Sequence, residues 1–242
     1  MKDLTEDHIL NGRLKLLQPK DGYRIPIDPI ILAFFVDVTR AKKMLDVGCG
    51  VGTISLILKY RNPEAEIFAL DIDPEICEIC KLNSEKNSLP INVINADLAH
   101  ENLSLNNFDL IVTNPPYFKE NTSRVSSTKK LSKFESMPLD DWINFFLKKL
   151  SPRGSFAIIH DAARTDEIIL ALKNFREQIG AIEILPIYSR KNDVAKRIIV
   201  RCKKNSKKSP QIFPSLIMHD NDGKYSKEAA DILSGNFLDS SQ

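Results

Sequence analysis

Long apolar runs are missing from this sequence of 242 residues. None approaches the roughly 20 residues that a membrane-spanning helix needs, so no membrane partner is expected. The opening stretch, MKDLTEDHILNGRLKLLQPK, mixes both charge signs and lacks a signal-peptide core, which points to a cytoplasmic protein. Cysteine is scarce. Cys49, Cys77, Cys80 and Cys202 do not make the framework of a secreted disulfide scaffold. Cys77 and Cys80 form a CxxC, but no second CxxC or paired histidine supplies the remaining ligands of a zinc site. They read as two small buried residues one helical turn apart, and no metal is expected. Excess charge of one sign is also absent: the net charge is +2, so total charge says little about partners. Internal repeats and low-complexity tracts are lacking too.

What is present is an alternation. The 43% hydrophobic fraction suffices for the core of one α/β domain. From residue 43, KMLDVG reads as a strand, GTISLILKYR as a helix, EIFALDID as a strand and PEICEICKLNSEKN as a helix opened by Pro74. INVINAD and FDLIVTN follow as strands, MPLDDWINFFLKKL as an amphipathic helix, SFAIIH as a strand and DEIILALKNFREQ as a helix. AIEILPIY and KRIIVRCKK close the core as an antiparallel pair. KYSKEAADILSG predicts a short helix with Ser226 as its N-cap. Strands alternating with helices imply right-handed crossovers and a mostly parallel sheet covered on both faces. We expect one domain: a cap segment over 1–42, a core over 43–204 and an extension over 205–242. A monomer is expected.

Ligands on such sheets bind outside the carboxyl ends of the strands. Three features fall at such ends: the turn after Asp46, Asp71, and Asn114. In Asp46-Val-Gly48-Cys-Gly50-Val-Gly52 the glycines let the backbone pass close to a ligand. The spacing differs from the dinucleotide fingerprint, whose third glycine would fall at Thr53. Asp46 would repel a pyrophosphate but tolerate a cation such as a sulfonium. Asp71, 19 residues after Gly52, is placed to grip a ribose diol, and Asp97 after the third strand could accept from an adenine amine. Together these acids point to a nucleoside cofactor.

Asn114-Pro115-Pro116-Tyr117 follows the fourth strand directly. A planar amino group is a poor nucleophile, because its lone pair is delocalised into the ring. The Asn114 side-chain oxygen and the Pro115 carbonyl could each accept one of its N–H bonds and aim the lone pair. Tyr117 offers a flat face for a flipped-out base. Two basic clusters could hold phosphates. One is Lys119, Arg124, Lys129, Lys130 and Lys133; the other is nine Lys or Arg over 186–210, including Arg190 and Lys191.

The Asp46 to Gly52 turn with Asp71 and Asp97 resembles that of class I S-adenosylmethionine-dependent methyltransferases. The resemblance implies a Rossmann-like seven-stranded sheet with an antiparallel last strand, and S-adenosylmethionine as cofactor. It places Gly48, Gly50 and Gly52 along the cofactor, with Asp46 and Asn114 beside it. The NPPY motif is similar to that of enzymes methylating adenine N6, guanine N2 or a glutamine amide. The head of the chain, with Gln18, Gly22, Tyr23, Arg24, Asp28 and Leu32, resembles the bacterial tRNA(Val) adenine-N6 methyltransferase family. So does the tail, KRIIVRCKK followed by FPSLIMHDNDGKYSKEAADIL. That family implies an RNA substrate, with the adenosine 3′ of the anticodon as target and Tyr23, Arg24, Asp28, Pro116, Lys133, Arg190 and Lys191 in substrate binding. One departure stands out. Where the family shows a basic residue followed by His-Glu, this chain has Lys133-Phe134-Glu135, and Phe134 cannot hydrogen-bond.

Three readings compete. The first is RNA adenine-N6 methylation. The second is methylation of another conjugated amine, a protein glutamine N5 or an rRNA guanine N2. Glutamine methyltransferases usually carry a helical N-terminal domain, and about 42 residues precede the first core strand here. The third is an RNA-binding protein without catalysis, which the intact Asp46, Gly50, Asp71 and Asn114 oppose.

Overall fold

The structure, a computed structural model, describes residues 3–20, 27–97, 104–115 and 138–236. The chain opens with a hairpin, β1 (Leu4–Ile9) and β2 (Leu14–Pro19), that stands apart from the main sheet. Then come α1 (Asp28–Phe35), β3 (Lys43–Val47), α2 (Thr53–Arg61), β4 (Glu66–Asp71), α3 (Pro74–Lys86), β5 (Asn92–Asn95) and β6 (Phe108–Thr113). The second half holds α4 (Leu139–Lys149), β7 (Leu150–Asp161), α5 (Thr165–Asn174), β8 (Ile179–Arg190) and β9 (Ala195–Lys204). Two short strands, β10 (Gln211–Ile212) and β11 (Leu216–His219), precede α6 (Lys227–Ser234).

The core strands lie in the order β5-β4-β3-β6-β7-β9-β8. All are parallel except β9, which runs against both β7 and β8. The expected mostly parallel sheet with an antiparallel last strand is therefore present. It is wider than the seven strands expected, because β10 and β11 both pair in parallel with the outer edge of β8. That edge would otherwise present unpaired backbone groups. Two further features were not read from the sequence. The hairpin was taken only as a cap segment, and β7 begins at Leu150 rather than at Ser155, running through Pro152 and Gly154 where turn residues obscure the pattern.

Alternation along each strand divides the core into two layers. On β3, Met44 joins α1 and α2 on one face, while Leu45 and Val47 join α4 on the other. Helix α3 begins where Pro74 presets the backbone and the Asp73 side chain accepts from the amides of Glu75 and Ile76. Helix α1 buries Ile30, Ile31 and Leu32, each contributing roughly 1.5–3 kcal/mol. Arg61 locks its end, donating through Nη1 to the carbonyls of Ala33 and Val36. A cation at a helix C-terminus suits the local dipole. At the other extremity, Arg13 in the hairpin turn donates to the carbonyl of Ser234 at the end of α6, 2.9 Å away.

Candidate active site

The chain builds β3, β4 and β5 in one direction, then returns to place β6 on the other side of β3. The carboxyl ends of β3 and β6 thus flank a topological switch point, where open α/β sheets form their crevice. Register puts Val47 opposite both Leu70 and Thr113, and Asp71 opposite Asn95. The residues that follow these strands therefore emerge along one edge: the glycine turn, Asp71, Asp97 and Asn114.

The turn is held from below. Gly48 and Cys49 donate their amides to the carbonyl of Leu70 at 2.8 and 3.0 Å. Gly48 and Gly50 have φ of 69° and 55°, and a Cβ built on either would meet no atom within 4 Å. These two glycines leave room over the turn for a ligand. Gly52 differs: its φ is 90°, and a Cβ there would lie 2.6 Å from the Cys80 Sγ. Its smallness lets α3 pack against the turn. The second half of the CxxC is thus a packing residue, and Cys77 beside it is also buried.

Asp46 is completely buried. Its Oδ2 accepts from the Ser55 amide at 3.0 Å and the Ser55 hydroxyl at 2.6 Å, seating the first turn of α2. Burial pushes its carboxyl up to about 7, against the opposing effect of the Ser55 bonds. Its Oδ1 has no hydrogen-bond partner among the described residues. A buried carboxylate with one unsatisfied oxygen attracts a cation and repels a phosphate, which agrees with a sulfonium ligand. The visible task of Asp46 is nevertheless to position the turn.

Asp71 Oδ2 accepts from the Gly50 amide at 2.9 Å, and Oδ1 from the Asp73 amide at 3.0 Å. Burial raises its carboxyl, opposed by these two bonds. Asp97 lies half-buried two residues beyond β5. Asn114 and Pro115, both half-buried, leave β6 immediately after Thr113, whose hydroxyl donates to the Val47 carbonyl at 2.9 Å. Asp71 and Asn114 end strands on either side of β3, about 10 Å apart by strand spacing. A nucleoside gripped at β4 can therefore present a group at β6.

The substrate residues divide. Tyr23, Arg24, Pro116, Tyr117, Lys133 and Phe134 lie outside the described residues, as does the whole basic cluster over 119–133. Asp28 opens α1, and its carboxylate accepts from Arg197 Nε at 2.8 Å. Arg197 stands opposite Asp161 at the end of β7, so Asp28 is tied to the carboxyl edge of the sheet. The 186–210 cluster is not one patch. Arg190, Lys191 and Lys196 are exposed at the β8–β9 turn, on the carboxyl edge. Lys203, Lys204, Lys207 and Lys208 fall at the opposite edge, because β9 runs antiparallel. Lys204 instead binds the carbonyls of Leu147 and Leu150 at the end of α4, and Arg201 is paired with Glu183.

Two supporting residues were missed from the sequence. One is Ser55. The other is Asn83, whose Nδ2 donates to the carbonyls of Val51 and Leu17, each at 2.9 Å, while its Oδ1 accepts from the Leu17 amide. Asn87, one turn later, makes the same kind of exchange with Lys15. The two asparagines pair with the free edge of β2 as a neighbouring strand would, and Asn83 also reaches the glycine turn. Their i,i+4 spacing, which puts Asn83 and the C-cap Asn87 on one side of α3, was the available signal.

A glycine turn after the first core strand, an acid after the second, an Asn-Pro after the fourth and an antiparallel last strand define a class I S-adenosylmethionine-dependent methyltransferase. A family model described as Methyltransferase small domain matches residues 29–136. The fold is similar to that of a predicted O-methyltransferase from Agrobacterium tumefaciens, with a TM-score of 0.71, 23% identity, and 86% of this chain and 96% of that one covered. It is also similar to a Thermus thermophilus 16S rRNA N2 G1207 methyltransferase in complex with AdoMet and guanosine: TM-score 0.56, 16% identity, 84% of this chain and 50% of that one.

Sequence relatives are more specific. The tRNA1(Val) (adenine(37)-N6)-methyltransferase of Shewanella loihica is 30% identical over 168 residues, covering 66% of this chain and 69% of the relative. That of Aeromonas hydrophila is 26% identical over 217 residues, covering 89% of this chain and 90% of the relative. The chain belongs to this tRNA1(Val) (adenine(37)-N6)-methyltransferase family.

Proposed function

We propose that the protein transfers a methyl group from S-adenosylmethionine to the N6 amine of an adenine in RNA, the adenosine 3′ of the anticodon of a valine tRNA. The reading rests on the convergence of the open Gly48–Gly50 turn, Asp71 and Asn114 at one switch point, in a chain of this family. In this reading Gly48, Gly50 and Asp71 hold the cofactor, which supplies an activated methyl group when bound, and Asp97 approaches its adenine. The Asn114 side-chain oxygen accepts one N–H of the target amine, and the Pro115 carbonyl accepts the other. Both acceptors favour a pyramidal nitrogen over a planar one, so they stabilise the transition state more than the ground state. The stacking face is assigned to Tyr117, with Pro116 beside it, from the sequence motif alone, since both lie outside the described residues. No strong base is needed, because the amine becomes acidic once alkylated. We read the chain as one monomeric, cytoplasmic methyltransferase domain, with a cap over 1–42, a core over 43–204 and an extension over 205–242. Among the described residues no helix is long and apolar enough to cross a membrane, and no group of three His, Cys, Asp or Glu could hold a metal.

The test is to incubate the protein with labelled S-adenosylmethionine and unmodified tRNA transcripts, digest the RNA, and identify the modified nucleoside by mass spectrometry. N6-methyladenosine is expected, with transfer lowered about 100–1000-fold by Asn114→Ala. Label in a protein fraction and none in RNA would overturn the reading.

A further inference from the structure

An aromatic platform stands at the outer end of the carboxyl edge, beyond the catalytic crevice. His219 ends β11 and is paired in register with Arg190 at the end of β8. Its ring nitrogen Nδ1 donates to the Ser189 carbonyl at 3.3 Å, which fixes the ring against β8. Tyr225 stacks on it, with ring centroids 4.9 Å apart and planes at 25°. The stack is built rather than incidental. A tight turn returns the chain through the Asp220 amide to the Lys224 carbonyl at 2.9 Å, and an antiparallel bridge joins Tyr225 to His219. The next residue, Ser226, is anchored at once: its hydroxyl donates to the Ile217 carbonyl at 2.6 Å and accepts from the Ala229 amide. Yet Tyr225 remains 43% exposed, so the hydrophobic core does not account for it. Arg190, Lys191 and Lys196 are exposed on the adjoining β8–β9 turn with Asp193, while Asp220 and Asp222 lie in the turn that returns the chain to Tyr225. Among the described residues no salt bridge engages these three cations, whereas Lys224 is neutralised by Asp222 at 3.1 Å.

We propose that this platform is a second RNA contact: Tyr225 stacks an unpaired base while Arg190 and Lys191 hold the flanking phosphates. The proposal rests on the RNA methyltransferase reading above and gives a role to the segment after residue 205. A half-exposed aromatic held in place by its own stack, beside exposed cations, is what single-stranded nucleic acid requires: a face for the base and charge for the backbone. β11 is the fourth strand out from β6, so the platform lies about 19 Å from Asn114 along the edge. That distance corresponds to roughly five or six nucleotides of stacked strand. The platform would therefore read RNA next to the target nucleotide and not the target itself.

The experiment compares wild type, Tyr225→Ala, Tyr225→Phe and the pair Arg190→Gln/Lys191→Gln. Two RNAs are used: an unmodified tRNA transcript, and a short oligonucleotide carrying the target adenosine with two nucleotides on either side. Affinity is read by anisotropy, and S-adenosylmethionine binding by calorimetry. Tyr225→Ala is expected to weaken binding of the transcript roughly 5- to 100-fold. It should leave binding of the short oligonucleotide and of the cofactor unchanged. Tyr225→Phe should bind as wild type, because stacking needs the ring and not the hydroxyl. The Arg190/Lys191 pair keeps the test open if Tyr225→Ala disturbs the fold, and should lower the salt dependence of transcript binding by about two phosphates. Wild-type affinity of folded Tyr225→Ala for the transcript, or an unchanged salt dependence in the pair, overturns the platform while leaving the methyltransferase intact. Equal losses on both RNAs would also overturn it, placing the effect in the crevice. A wild-type protein that binds cofactor but no RNA overturns the RNA reading and the platform with it.

Discussion

Gly50 and Gly52 sit two residues apart in the same turn, but the structure gives them separable tasks. Both have left-handed backbones, so an alanine at either position costs about 1–2 kcal/mol in strain. At Gly50 nothing else is expected, since a new Cβ meets no atom within 4 Å. At Gly52 the Cβ would lie 2.6 Å from the Sγ of Cys80, a fully buried residue that cannot swing away. Overpacking of this kind adds about 1–3 kcal/mol, for a total near 2–5 kcal/mol. Domains of this size are stable by roughly 5–15 kcal/mol, so Gly52→Ala should remain folded with a clearly lower urea midpoint. Gly50→Ala should lose only about 1–2 kcal/mol of stability. Its S-adenosylmethionine affinity, however, should fall tenfold or more, since its methyl group fills the space over the turn. Adding Cys80→Ala should recover part of the Gly52→Ala loss, a coupling of about 0.5–3 kcal/mol in a double-mutant cycle. Urea titrations and calorimetry on the single and double variants supply every number needed. Wild-type cofactor affinity in Gly50→Ala, or additivity of the Gly52 and Cys80 changes, would refute the division of labour.

Other perturbations probe the supporting shell. Asn83→Ala leaves the Leu17 and Val51 groups without buried partners; a stability loss of about 2–4 kcal/mol is expected in urea melts, with weaker cofactor binding through the loosened turn. Removing the Arg197 partner by Asp28→Ala should cost about 1.5–3 kcal/mol by the same measurement, and Arg197→Ala should add little to it. Asp46 makes stability depend on pH. Its folded pKa, about 7, lies above the unfolded value of 3.8, so between these pH values the folded state holds more protons than the unfolded one. Stability from this group is therefore fully present below about pH 4 and falls as pH rises toward 7, by on the order of a few kcal/mol. Asp46→Asn does not titrate, so urea midpoints at pH 5 and pH 8 should show the variant gaining on wild type at the higher pH. A constant difference between the two proteins would show that the carboxyl does not titrate in this window.

Much was legible from residues because local chemistry is written locally. Strand and helix periods, Pro74 opening a helix, Ser226 as a cap, and the Asp46 to Gly52, Asp71 and Asn114-Pro115 signals each need only a few neighbouring residues. The topological rule for parallel sheets then places such strand ends on one edge before any coordinate is known. The family resemblance rested on the same short motifs at the head and tail of the chain. Other features depend on contacts between residues far apart in sequence, which no window reveals. That Gly52 answers to Cys80 and not to a ligand is set by the approach of α3. That Asn83 serves the hairpin and the turn together is set by β2 lying across α3. The run of nine basic residues looked like one patch, and strand direction divided it: β9 is antiparallel and carries its two ends to opposite edges of the sheet. Composition can count charges, but only the register of the sheet decides which of them face the same RNA.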